Sequence, residues 1–174
     1  MKGRIVIAAT VIAAVSLVTP KASALPPGFP DPNAFTAVDA ASHIVHYPRS
    51  GAAVIIATPD GVQCSWGVPG GPDSHTDVRC SGNIPGIPVS VPDDGRAGCA
   101  TLGKSGGSMG ATYLYVFDRR GGSTCPPFPA TLTVGQKISA TNITCVVAAG
   151  NVTACIDPIV NHGFVLQPSG SWVF

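Results

Sequence analysis

Residues 145–155 read Cys-Val-Val-Ala-Ala-Gly-Asn-Val-Thr-Ala-Cys. Two β-prone runs are bounded by cysteines, and Gly150 lies midway between Cys145 and Cys155. Gly and Asn accept left-handed backbone, so Gly150 and Asn151 mark a hairpin loop. A three-residue loop centred on Gly150 pairs Ala148 with Val152 and Val146 with Ala154. It sets Cys145 directly opposite Cys155. Opposed strand residues have Cα atoms about 4.5–5.5 Å apart, which is inside disulfide range. The stretch predicts antiparallel β structure closed by a disulfide.

The same reasoning extends outward. Cys64 and Cys80 sit on the short runs Val62–Trp66 and Val78–Cys80, joined by the turn-rich loop Val68–Thr76. Cys99 and Cys125 are then left as partners across a Gly-rich middle. Six cysteines allow about 15 pairings, of which this sequential one is the expectation. Zinc ligation lacks any Cys-x₂-Cys pair. Further β-prone runs are Ala53–Thr58, Ala111–Asp118, Ala130–Val134, Lys137–Val147, Phe164–Leu166 and Ser171–Phe174, divided by Gly- and Pro-rich turns.

Composition agrees. Gly and Pro together make 38 of 174 residues, about twice the usual share. All nine acidic residues are Asp, which favours caps and turns, and Glu is absent. Both features exclude a helical bundle or a doubly wound α/β sheet. A net charge of +1 gives no reason to expect nucleic acid or anionic lipid as a partner.

The first 24 residues have the form of a secretory signal. Lys2 and Arg4 precede an uncharged apolar stretch from Ile5 to Val18, and Ala22-Ser23-Ala24 supplies the small residues for cleavage between Ala24 and Leu25. A membrane span needs about 20 apolar residues, and Pro20 and Lys21 interrupt this one. Cleavage leaves seven basic residues against nine Asp, a net of −2. Export to an oxidising compartment suits an even number of cysteines. Residues 25–52 then form a Pro-rich N-terminal arm, with Asp31-Pro32 capping a short helix over Asn33 to Ala41. The β domain occupies residues 53–174.

Several motifs match a pattern without its context. Gly98–Ser105 (GCATLGKS) has the spacing of a phosphate-cradling loop, but a turn precedes it and β-prone sequence follows. Gly106–Gly110 (GGSMG) has the spacing of a nucleophile elbow around Ser108, with Asp118 or Asp157 and then His162 in α/β-hydrolase order. The elbow needs a strand before its serine and a helix after, whereas here a Gly-rich loop precedes and a strand follows. His43 and His46 lack a third ligand at a useful spacing. Asp73, His75 and Asp77 read as a solvated loop tip. Asn142-Ile143-Thr144 and Asn151-Val152-Thr153 are glycosylation sequons, relevant only in a eukaryotic secretory pathway. Trp66, Trp172 and Phe174 read as core or sheet-face residues.

The segments Thr58-Pro-Asp-Gly-Val-Gln-Cys64, Val78-Arg-Cys80, Ile143-Thr-Cys145, Val152-Thr-Ala-Cys155, His162-Gly-Phe-Val-Leu166 and Ser171-Trp-Val-Phe174 carry a resemblance. In their order and Cys placement the chain resembles a family of small exported actinobacterial, chiefly mycobacterial, proteins with no assigned function. The resemblance spans residues 53 to 174. It implies secretion and a small β domain, and brings no catalytic residues.

The expectation is a mainly β protein, a small antiparallel sandwich or barrel-like domain stapled by three disulfides. Its leading function is a secreted, non-catalytic binding domain of the extracellular space or cell envelope, without metal or cofactor. The loops Val68–Thr76 and Gly98–Gly110 are its expected binding surfaces. The alternative is a secreted serine hydrolase using Ser108 and His162.

Overall fold

Along the strand Val62–Gly67, Val62, Cys64 and Trp66 are buried while Gln63, Ser65 and Gly67 are only partly so. That period of two is the signature of a strand with one face on a core. It recurs in the computed structural model, which describes residues 24–48, 51–68, 77–93, 99–105, 114–119, 125 and 129–174. Residues 1–23, and with them most of the expected signal, lie outside the described residues. Ala24 and Leu25, the expected cleavage pair, are both exposed.

Among the described residues twelve strands make two six-stranded sheets. The N-terminal sheet is an antiparallel meander in chain order: β2 (Ile44–Tyr47), β3 (Gly51–Ala57), β4 (Val62–Gly67), β5 (Arg79–Gly82), β6 (Ala100–Lys104) and β7 (Tyr115–Asp118). The C-terminal sheet contains β8 (Gln136–Ala140), β9 (Ile143–Ala148), β10 (Val152–Asp157), β11 (His162–Leu166) and β12 (Trp172–Val173), again antiparallel. Its outer edge is β1 (Thr36–Val38), paired parallel to β8.

The two sheets face each other over one core. Val54, Ile56, Cys64, Cys80 and Leu102 of the first meet Ile138, Cys145, Cys155, Phe164 and Leu166 of the second. The rings of Tyr115 and Phe164 meet edge-on across the layer, 5.3 Å apart. Trp66 Nε1 donates to the Ala140 carbonyl of the opposite sheet at 3.3 Å. The fold is a β-sandwich.

Disulfides join Cys64 to Cys80, Cys99 to Cys125 and Cys145 to Cys155. Cys145 lies opposite Cys155, and Ala148 opposite Val152, with Gly150 and Asn151 at positive φ in the loop between. Cys64 lies opposite Cys80 in the same way. Among the described residues no helix is long and apolar enough to cross a membrane.

Three expectations require correction. The short helix over Asn33 to Ala41 is absent. Asp31 does cap, accepting from the Asn33 amide, but only a 3-10 turn at Pro32–Ala34 follows. Beyond it the chain extends as β1, because pairing with β8 gives the backbone a better partner than one isolated helical turn. Ala130–Val134 is not a strand. Thr131 and Leu132 instead donate their amides to the Ala57 carbonyl, which anchors the crossover between sheets and buries Leu132 completely. Lys137–Val147 is two strands, divided by a turn in which Thr141 takes a φ of 57°.

The C-terminal sheet is buried on both faces. Val146, Ala154, Ile156 and Val165 point away from the shared core into a second cluster with Phe29. The segment after Leu25 covers this face: Phe29 packs edge-on against Phe174 at 5.9 Å, and Lys137 Nζ donates to the Pro32 carbonyl at 2.8 Å. Trp172 and Phe174 complete the cover. At the inter-sheet end, Ser171 donates to the Pro85 carbonyl and accepts from the Gln167 amide.

Among the described residues three buried polar atoms lack a hydrogen-bond partner, Asp60 Oδ2, Asn142 Oδ1 and the Thr153 hydroxyl. Of the three residues Thr153 is the fully buried one, 1% exposed. A buried hydroxyl without a partner costs more than the methyl that would replace it. Thr153→Val is expected to raise the unfolding free energy by about 1 kcal/mol, read from the urea midpoint followed by Trp fluorescence. Replacing Cys145 and Cys155 together by Ser is expected to lower it by about 2–4 kcal/mol. A double variant as stable as the parent would refute the staple.

Candidate functional site

Strand alternation that buries Val62, Cys64 and Cys80 sends their neighbours to the opposite, outer face of the N-terminal sheet. Register aligns those neighbours across strands. Gln63 on β4 lies opposite Ser81 on β5, Ser81 opposite Thr101 on β6, and Thr101 opposite Asp118 on β7. At the usual spacing of about 4.8 Å between strands, this row of four polar residues is roughly 14 Å long. A second row runs beside it, with Ser65 opposite Arg79. Gly103 follows Arg79 on β6, and a Cβ there would approach only the Arg79 Cγ, at 3.8 Å. The arginine stem therefore lies over the glycine.

These side chains line an open depression of about 350 Å³, with Cys80 and Leu102 beneath them. The volume falls at the lower end of the range of small-ligand sites, and polar side chains share the lining with the apolar surface of Cys80, Leu102 and Gly103. Lys104 closes one end, held by Asp77 at 3.4 Å. Gln63, Ser65, Arg79, Ser81 and Thr101 use none of their side-chain donors or acceptors on another described residue. The face thus presents amide, hydroxyl and guanidinium groups whose hydrogen-bonding capacity is unspent among the described residues.

The expected surfaces and catalytic residues fall elsewhere. Of the loop Val68–Thr76, residues 69–76 lie outside the described residues. The stretch Gly98–Gly110 is corrected in part: Ala100–Lys104 is strand β6, not loop, because Ala100 and Leu102 alternate inward onto the core. Of the phosphate-loop spacing, Gly103 and Lys104 fall on this strand, Ser105 follows it and Cys99 is in a disulfide, while Gly98 lies outside the described residues. Ser108 lies outside the described residues. His162 is half-buried on β11 in the other sheet, its Nδ1 at 3.1 Å from the Phe174 oxygen, and Asp157 stands opposite it in register. Asp157 is buried and is bonded by the Asn142 amide and the Ile159 backbone. That bond also engages the first sequon's asparagine. His43 closes a 3-10 turn and His46 is exposed on β2, while Asp73 and His75 lie outside the described residues. Among the described residues no three His, Cys, Asp or Glu side chains gather as a metal site.

The polar rows carried a sequence signal that loop-centred reasoning passes over. Gln63 and Ser65, Arg79 and Ser81, and Thr101 and Gly103 occupy alternate positions of three consecutive runs, each around inward Cys, Leu or Trp. The chain matches no protein-family model, no curated protein and no solved structure.

A residue that serves the fold costs stability when removed, and an exposed one without partners does not. Arg79→Gln is expected to change the unfolding free energy by less than about 0.5 kcal/mol. A loss above about 1.5 kcal/mol in chemical denaturation would make Arg79 a structural residue instead.

Proposed function

We propose that the protein is a secreted, non-catalytic binding domain of the extracellular space or cell envelope, and that the outer face of its N-terminal sheet is the ligand face. The observation that carries this reading is the contrast between the two outer faces. On the C-terminal sheet, Phe29, Trp172 and Phe174 cover an apolar surface. On the N-terminal sheet stands an open depression lined by Gln63, Ser65, Arg79, Ser81 and Thr101, whose side chains bond to no other described residue. A sheet face that no described residue covers or uses is available for recognition.

Export rests on the signal-like N-terminus and on the resemblance to small exported actinobacterial proteins, and three disulfides suit an oxidising compartment. The groove supports binding rather than turnover. Acid–base chemistry needs converging titratable groups. The groove lining has hydroxyls but no His, and its Lys104 is engaged by Asp77.

Retention of the protein on the envelope fraction of the producing cells tests the reading. Thr101→Arg, which fills the groove from an exposed position, is expected to abolish retention, while Ser90→Arg on an exposed loop leaves it intact. Equal retention of both variants would move the ligand face elsewhere. Labelling of Ser108 by a fluorophosphonate probe, lost in Ser108→Ala, would replace the binding reading with hydrolysis.

A further inference from the structure

The geometry points to a ligand of one chemical class: a neutral, polyhydroxylated chain of the oligosaccharide type, lying across β4–β7 with Arg79 as its central donor. This rests on the ligand face proposed above and names what that face recognises. The side chains that rise from the groove are the amide, hydroxyl and guanidinium groups of Gln63, Ser65, Arg79, Ser81 and Thr101, with the Lys104 ammonium at one end. Cys80, Leu102 and Gly103 form an apolar floor, so hydrogen bonds choose the ligand and the open floor encloses neither an acyl chain nor an aromatic ring. Exposed apolar side chains, Val45 and Tyr47 on β2 and Val116 on β7, flank the groove and do not line it.

Charge narrows the class. Among the described residues Arg79 and Lys104 bring two cations, Asp77 pairs with Lys104, and Asp118 brings a second carboxylate to the end of the first row. The local balance is zero, which gives a polyanion no net attraction. Nucleic acid is disfavoured further, because single strands need a basic track with stacking aromatics. Peptides that dock on sheets add a strand at an edge, where backbone groups are free. Here the groove lies on the interior strands β4, β5 and β6, whose backbone groups are spent on ladder bonds.

A sugar chain meets each requirement. Its vicinal hydroxyls both donate and accept, and Gln63, Ser81 and Thr101 of the row offer groups that do both, with Asp118 at the row's far end. The row's length, roughly 14 Å at ordinary strand spacing, accommodates a short oligosaccharide laid across the strands. The Arg79 guanidinium presents five donors in a plane, suited to bridging adjacent hydroxyls. Gly103 leaves its stem room to lie flat.

The test is titration of the ¹⁵N-labelled mature protein with neutral tetra- to hexasaccharides of glucose, mannose and galactose, and in parallel with uronic acid oligomers of the same length. Neutral oligosaccharides are expected to shift the amides of residues 63–65, 79–81 and 101–104. Arg79→Ala and Thr101→Val, each with an otherwise unchanged amide spectrum, are expected to weaken that binding about tenfold or more. Ser90→Ala, on an exposed loop outside the groove lining, is expected to leave it unchanged. Shifts produced by the uronic acid oligomers alone would overturn the neutral-ligand assignment and keep the binding face. Absence of shifts with both sets would overturn the glycan assignment. The envelope retention of Thr101→Arg then decides whether the binding face falls with it.

Discussion

Two cystines on the inner faces of the sandwich set the register of everything around them. Cys64 opposes Cys80 in one sheet and Cys145 opposes Cys155 in the other, and all four are at most 2% exposed in the same core. Because side chains alternate faces, slipping either pair by one residue would turn every core side chain of that strand to solvent. A covalent bond between directly opposed residues forbids the slip. In the N-terminal sheet the same bond fixes the outer face as well. Once Cys64 is locked opposite Cys80, Gln63 must stand opposite Ser81 and Ser65 opposite Arg79. The alignment of the candidate site is a consequence of the staple beneath it.

The two sheets solve the problem of the outer face differently. The C-terminal sheet carries apolar residues on both faces, so β9 buries Cys145, Val146 and Val147 in succession and β10 buries every residue from Thr153 to Asp157. Such a sheet is stable only if something covers its second face. The segment from Leu25 to Phe35 does so from one end and Trp172 with Phe174 from the other. The N-terminal sheet places Gln, Ser, Arg and Thr outward on β4–β6, which water or a ligand can satisfy without further chain. Composition of the second face, strand by strand, therefore separates the sheet that the chain covers from the one proposed as the ligand face.

Much of this was legible in the chain. Gly150 and Asn151 announce the tight loop that sets Cys145 opposite Cys155, and the shortage of helix formers with abundant Gly and Pro excludes other classes. The misreadings share a physical origin in non-local pairing. Asp31-Pro32 is a sound helix start, but the residues after it pair with β8, a hundred positions away, and no local pattern encodes that partner. Lys137–Val147 reads as one run because its turn lacks Gly or Pro and relies on Thr141 in a left-handed conformation. Ala130–Val134 has strand composition yet serves as a crossover, its amides claimed by Ala57. The groove escaped for another reason. Its residues are individually ordinary, and only the register of three strands makes them neighbours.

A site built on strands rather than loops also has energetic consequences. Loop surfaces lose conformational freedom when they bind, and that loss subtracts from affinity. Here the Cα positions of Ser65, Arg79, Ser81 and Thr101 are held by ladder bonds, and β4 and β5 are joined by a disulfide, so only side-chain rotamers remain to be ordered. Ser and Thr have short side chains with little rotamer entropy to lose, and Arg79 is steadied by its stem over Gly103. A shallow polar face makes weak individual hydrogen bonds, each worth about 0.5–1.5 kcal/mol net. Such a face binds usefully only if its groups are already in place, several at once, when the ligand arrives. The cystine-locked register supplies that preorganisation, and it makes a row of commonplace polar residues adequate for recognition.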